Sequence, residues 1–429
     1  MSVATYYGSV RSAPAAREPL TGTWECDTVV VGGGFAGLNT ALSAAERGAR
    51  DIVLLEAQAV GHGASGRNGG FVFAGYSLGE QALIVRVGAR RARQLYLCSV
   101  GGVEKIRARL REYAIDCDPV QEGVIWANWF RDPAILRDRQ RLLEDAFGVH
   151  WAWLTSDEIR ARLHTDRYSG GLFEPSGFHL NPLQYARGIA TAAEHHGVRI
   201  FEHSRVDRLR RLERHAGWEV RTADGAVMHA RRVVLACGGY LAGLHPRIDR
   251  AVLPIATHVV VTEPLGRHLA DVMSTRAAVY DTRFAFDYYR ALPDTRLLWG
   301  GRISVRRPGG RTIRRLLHRD IRRVYPQLAD VRIDHAWSGL MSYARHEMPQ
   351  IGHDGNGLWW AQAFGGHGLA PTTVTGELLG AALAEGDDGW TVFGEFGLVG
   401  AHRPLGYVAA QARYAWLQCR DRLKQVLEG

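Results

Sequence analysis

The chain has 429 residues, and 53 Lys+Arg against 44 Asp+Glu give it a formal net charge of +9. Its 46% hydrophobic and 23% charged content is ordinary for a globular protein, which excludes a low-complexity or fibrous chain. The length favours two cores over one, and no apolar run is long enough to cross a bilayer.

The first 22 residues lack the apolar stretch of a secretory leader, and residues 1–25 read as an arm leading into the first strand. Cys26, Cys98, Cys117, Cys237 and Cys419 are odd in number and scattered. They form neither a disulfide framework nor a metal-ligand pattern, so no metal is expected and a cytoplasmic location is the simplest reading.

An apolar run from Thr28 ends in Gly32-Gly33-Gly34-Phe35-Ala36-Gly37. Leu38, Leu42 and Ala45 then recur at helical spacing, and Ile52-Val53-Leu54-Leu55 closes on Glu56 and Ala57. This is a strand–turn–helix–strand unit of Rossmann type. Gly32 permits the turn, Gly34 lets a pyrophosphate approach, and Gly37 lets the helix lie against the strand. A carboxylate at Glu56 accepts from a ribose 2′-OH and repels a 2′-phosphate, which favours FAD or NAD over NADP.

A glycine-rich stretch, Gly61 to Gly70, follows. Helical patterns run from Gly79 to Arg111 and from Asp132 to Glu144. Another helix is predicted from Pro182 to His196, then a strand at Gly197 to Phe201. A meander is predicted at Val206 to Leu212, Trp218 to Thr222 and Val227 to Ala230, with turns at His215-Ala216-Gly217 and Asp224-Gly225. A separate strand, Val233 to Leu235, runs into Ala236-Cys237-Gly238-Gly239. Phe284 to Leu292 and Arg296 to Ser304 read as a hairpin.

Arg314, Arg315, Arg319, Arg322 and Arg323 share a helix with an apolar stripe of Ile313, Leu316, Leu317, Ile321 and Val324. That is a solvated helix face, and no nucleic-acid module accompanies the charge. A strand at Ile333 to Trp337 follows. Gly357 to Phe364 is a strand, Gly365-Gly366-His367-Gly368 a turn, and Leu369 starts a helix. Two helix N-termini at opposite ends of the chain can thus point at one anionic cofactor. Leu405 to Leu427 mixes apolar and basic residues. A helix packed on the cofactor domain is the favoured reading there, with peripheral membrane contact as the alternative.

Together, the glycine fingerprint, Gly-Ala-Ser-Gly-Arg-Asn-Gly-Gly at 63–70, Leu-Ala-Cys-Gly-Gly at 235–239 and Gly-His-Gly at 366–368 resemble the D-amino-acid oxidase and glycine oxidase superfamily of FAD enzymes. Tyr6-Tyr7, Asp287-Tyr288-Tyr289-Arg290, Gly300-Gly301, Ala336-Trp337-Ser338-Gly339 and Arg420-Asp421-Arg422-Leu423 are similar to its γ-glutamylputrescine oxidoreductase branch. The resemblance implies an α/β two-domain fold. A discontinuous Rossmann-like FAD domain (1–90, 165–245, 336–429) carries an antiparallel-sheet substrate domain (91–164, 246–335).

The same resemblance implies roles. Ala64, Ser65, Arg67, Asn68, Gly69 and Gly70 would lie along the flavin and pyrophosphate. Val206 would lie near adenine, and Cys237 and Gly238 under the diphosphate. Gly366, His367, Gly368 and Leu369 would face the flavin N1–C2=O edge. Tyr288, Tyr289, Arg302 and His367, with Phe71, Trp299 and Trp337, are the pocket candidates.

The implied activity is oxidation of an amine C–N bond by hydride transfer to flavin N5, with oxygen or a quinone as acceptor. A monooxygenase or a non-catalytic flavin-binding protein is the alternative. Sarcosine oxidases of the superfamily attach FAD to a cysteine in the C-terminal third. No cysteine lies between Cys237 and Cys419, so FAD is expected to be non-covalent. The oxygen-activating lysine of those enzymes is absent from Leu297 to Arg302, and their carboxylate-binding lysine is replaced at Leu369-Ala370. The oligomeric state is not readable.

Overall fold

The computed structural model describes residues 5–11, 15–212, 217–305 and 307–428. The turn expected at His215-Ala216 lies outside the described residues. Two eight-stranded sheets and a two-stranded ribbon organise the chain.

In the first sheet, Thr23–Val31 lies between Val227–Leu235 and Ile52–Leu55, parallel to both. Arg199–Phe201 extends one side in parallel, and Leu358–Gln362 extends the other. Where the inner strands run side by side, at Val29–Val31, Ile52–Leu55 and Val233–Leu235, they are apolar and buried, as a parallel sheet covered on both faces requires. The helix Phe35–Glu46 is buried from Phe35 to Ala45 and packs on the helix Leu369–Glu385. Small residues set that approach: a Cβ on Gly376 would lie 2.3 Å from Asn39 Cβ, and one on Gly380 2.4 Å from Ser43 Oγ. Arg109, fully buried, ties the pair together through Glu46 (2.9 Å) and Glu377 (2.7 Å).

The second sheet runs in the order Ile333–Tyr343, Leu253–Thr262, Leu297–Ser304, Tyr288–Ala291, Ala278–Asp281, Val124–Ala127, Gly171–Glu174, Ala152–Leu154. It is antiparallel except between Ala278–Asp281 and Val124–Ala127. The basic helix Gly310–Val324 packs Ile313, Leu317, Ile321 and Val324 into its core, as the stripe predicted.

Several local expectations change. The first strand begins at Thr23, because residues 23–26 already pair with 227–230. The two strands expected at 227–230 and 233–235 are one nine-residue strand. Arg231 and Arg232 do not interrupt it, since both guanidiniums reach Asp27 on the neighbouring strand. Gly88, at φ +78°, splits the long helical run into Glu80–Val87 and Ala89–Glu112. Residues 284–287 are loop rather than hairpin strand. Strands Gly171–Glu174 and Ile333–Tyr343 both belong to the second sheet, although the sequence places the first and most of the second in cofactor-domain segments.

Candidate active site

A cavity of about 1370 Å³ opens between the two sheets. It exceeds the roughly 300–1,000 Å³ of a single small-ligand site. One end is the glycine turn. Gly32, at φ +115°, leaves the strand where a Cβ would lie 2.8 Å from Ala236 O. A Cβ on Gly34 would lie 2.9 Å from Ser65 Oγ, and one on Gly37 2.0 Å from Gly32 O. The helix therefore starts against bare backbone. Phe35 N–H donates to Ser65 Oγ (2.8 Å), and Gly34, Phe35 and Ala36 line the cavity.

Glu56 Oε2 accepts from Gly33 N–H (2.7 Å), and its Oε1 accepts from Gln58 N–H (2.9 Å). Burial pushes this carboxyl above its ordinary range. Ala57, Ala64, Val206, Cys237 and Gly238 continue the wall.

Asn68 shapes the 61–70 loop from within. Its Nδ2 donates to Ala64 O (3.0 Å) and Ser65 O (2.8 Å), and its Oδ1 accepts from Gly70 N–H (2.8 Å). A second layer holds the loop from behind: Tyr7 Oη donates to Asn68 O (2.8 Å) and Trp337 Nε1 to Arg67 O (2.8 Å). Buried Arg290 donates to Gly69 O (2.7 Å) and Leu180 O (2.9 Å).

At the other end, the Gly365–Gly368 turn presents the start of the Leu369–Glu385 helix. Gly365 N–H donates to Ser342 O (2.9 Å) and Gly366 N–H to Ser77 Oγ (2.9 Å). Aromatic rings wall this end. Phe71 meets Tyr288 edge-on at 5.5 Å, Phe73 stacks on Tyr280 at 5.5 Å, and Phe286 meets Tyr280 at 5.8 Å. His367 meets Phe73 at 4.8 Å, and enclosure pushes its imidazole down to about 4, so it is neutral at pH 7.

The charged side chains beside the rings are paired. Glu80 accepts from Arg139 (2.8 Å), whose guanidinium lies 4.5 Å from the Trp126 ring. Arg283 bridges Asp281 (2.6 Å) and Asp287 (2.5 Å).

A family model described as FAD dependent oxidoreductase (DAO) matches residues 27–382. The chain belongs to this family. It is 34% identical over 385 residues to the gamma-glutamylputrescine oxidoreductase of Escherichia coli K12, covering 89% of each chain. It is 32% identical over 407 residues to the probable oxidoreductase OrdL of Haemophilus influenzae, covering 91% of this chain and 90% of that one. In fold it is similar to glycine oxidase from Geobacillus kaustophilus, with a TM-score of 0.73 at 22% identity over 88% of this chain and 99% of that one.

The protein is thus an FAD-dependent oxidoreductase, and its cavity fits that cofactor. The fingerprint glycines stand where any Cβ would clash, and two helix N-termini open into one space.

The predicted cofactor residues fall on this cavity except Gly37 and Gly70, which lie behind it. A Cβ on Gly70 would lie 2.0 Å from Leu180 O, so its place is structural. Of the pocket candidates, Tyr288, Phe71, His367 and Arg302 line the cavity. Three others do not. Tyr289 is fully buried and stacked on Trp299 at 4.3 Å, because strand alternation turns it away from Tyr288. Trp299 shares that core, and Trp337 is the loop support already described. Arg302 reaches the cavity, but its guanidinium is engaged by Asp320 at 2.5 and 2.8 Å.

Sequence reasoning missed Glu80, Trp126, Arg139 and Tyr280, each on an element whose role was not read. It quoted Arg290 only as part of a resemblance, and a buried arginine inside a strand was the available signal.

Proposed function

We propose that this enzyme oxidises the C–N bond of a primary or secondary amine. The class includes γ-glutamyl-polyamine-like amines and amino or imino acids, and the imine product hydrolyses to an aldehyde or keto acid. The observation that carries this reading is the aromatic, charge-paired end of the cavity beside the neutral His367. An amine gives up hydride readily only when its nitrogen lone pair is free. A weakly hydrated pocket without an unpaired carboxylate disfavours the ammonium form. Phe71, Phe73, Tyr280 and Tyr288 restrict the substrate's orientation, and the neutral His367 imidazole adds no charge that would hold the amine as its ammonium. The similarity to a gamma-glutamylputrescine oxidoreductase supports the amine class.

FAD supplies the two-electron acceptor when bound. Gly32, Gly34, Phe35, Ala36, Ser65, Arg67 and Asn68 would hold its diphosphate and flavin side, Glu56 a ribose, Val206 the adenine, and Gly366 to Leu369 the flavin edge. Retention is non-covalent. The segments carrying the first sheet form the cofactor part, and those carrying the second sheet form the substrate part.

The chain's lysines are Lys105 and Lys424, and neither lines the cavity. That supports a quinone-type acceptor over fast oxygen use. The test is anaerobic bleaching of the bound flavin by γ-glutamylputrescine, putrescine, sarcosine, pipecolate and D-amino acids, followed by re-oxidation with air or a soluble quinone. Bleaching by one amine class is expected. No bleaching by any member would refute amine oxidation, and a stoichiometric requirement for NAD(P)H would indicate a monooxygenase.

A further inference from the structure

The helix Leu405–Leu427 has two unlike faces. Tyr414, Leu417 and Asp421 are buried. Tyr414 Oη accepts from Ile303 N–H (3.2 Å) and Asp421 Oδ2 from Phe284 N–H (2.8 Å), which fixes the helix on the rim of the second sheet. On the outward face, Leu405, Ala409, Ala412, Trp416, Cys419, Leu423 and Val426 recur at alternating steps of four and three, and all are exposed. The large ones are 58–76% exposed. A continuous exposed apolar stripe of this kind marks an interaction surface.

The charges beside the stripe select its partner. Arg413, Arg420 and Arg422 are exposed, Arg413 reaching Glu347 and Arg420 reaching Asp421 (3.3 Å), and the sole acid from Leu405 to Leu427 is that buried Asp421. Pairing with a second copy would set two faces against each other, each from a helix with four cations (Arg413, Arg420, Arg422 and Lys424) and one acid. An anionic bilayer satisfies both the apolar and the cationic side chains, and a mid-helix tryptophan suits the headgroup level. The formal charge of +9 acts in the same direction. Among the described residues no helix is long and apolar enough to cross a membrane, so the contact is superficial. Leu405, Gly406 and Ala410, at the start of the same helix, line the cavity.

We propose that the outward face of Leu405–Leu427 lies flat on an anionic membrane surface and brings the cavity mouth to the lipid. This is independent of the substrate reading.

The experiment is co-sedimentation of the flavin-loaded full chain with vesicles of phosphatidylcholine alone or mixed with phosphatidylglycerol, at low and high salt. Binding to the anionic vesicles, weakened by salt, is expected. The Trp416→Glu/Leu423→Glu variant and the Arg420→Glu/Arg422→Glu variant should each lower the partition coefficient about ten-fold or more. Their flavin absorption should be unchanged. Equal recovery in the supernatant with both vesicle types overturns the proposal, as does undiminished binding by both variants. A dimer in sedimentation velocity that Trp416→Glu dissociates overturns it in favour of a second copy on the stripe.

Discussion

Gly300 and Tyr288 face each other across adjacent strands, and the ring of Tyr288 lies over Gly300. A Cβ on Gly300 would lie 2.0 Å from Tyr288 Cζ and 2.3 Å from its Oη. Ordinary contact begins near 3.5 Å, so Gly300→Ala must displace the ring by about 1.5 Å. The ring is hemmed in further by Gly69, where a Cβ would itself lie 2.6 Å from it. The ring can move only by straining the strands or entering the cavity. Overpacking of this kind costs about 1–3 kcal/mol of stability, and displacement by about 1 Å beside a reacting centre costs about 10²-fold in rate. The assays are urea unfolding of the flavin-loaded protein and anaerobic stopped-flow reduction by the best amine. In Tyr288→Ala the clash partner is gone, so adding Gly300→Ala should then cost little. The expected double-mutant coupling is about 1–3 kcal/mol. Additive costs in the double variant, or a single Gly300→Ala variant with wild-type stability and reduction rate, would refute the geometry.

Loss of the Glu56 carboxylate removes a charged acceptor from the ribose position. Glu56→Ala should weaken FAD affinity about 10- to 100-fold in a fluorescence titration of the apoprotein, and an unchanged affinity would exclude the residue from the site. Arg302 is paired with Asp320, which is almost fully buried. Arg302→Met should cost about 3–5 kcal/mol in urea unfolding and leave substrate KM within about three-fold, whereas a large KM increase at intact stability would restore Arg302 to substrate binding. Burial pushes the Glu174 carboxyl to about 7, against about 4.3 in an unfolded chain. The folded state therefore binds this proton more tightly. Its stabilising contribution is complete below about pH 4.5 and is lost as pH rises through about 7. Glu174→Gln should flatten that decline and be more stable than the parent at pH 8 but not at pH 4; parallel pH–stability curves would contradict this.

The cofactor cradle was legible because its constraints are local. A strand, three glycines, a helix and an acid must follow one another within some thirty residues, and Gly37 excludes a Cβ from its own turn at Gly32 O, although Gly32 and Gly34 do so from the distant Ala236 O and Ser65 Oγ. The same holds for the Gly365–Leu369 turn and for the stripe of the Gly310–Val324 helix, where spacing alone declares a buried face. Strand boundaries were less legible. Arg231 and Arg232 looked like a break until Asp27, about two hundred residues earlier, met them from the neighbouring strand.

The amine end of the cavity was decided by tertiary structure. Strand alternation requires Tyr288 and Tyr289 to point opposite ways, but only the packed sheets choose which one meets the cavity. Arg302 reads as a substrate anchor until the fold sets Asp320 beside it, and Trp337 as a wall until its indole meets Arg67 O. Trp126, Arg139 and Tyr280 come from three separate segments that touch only after the second sheet closes. Sequence therefore determined what lies within one supersecondary unit, where chain connectivity fixes the geometry. Tertiary structure decided which distant side chain satisfies each charge and ring, because those partners are chosen by packing.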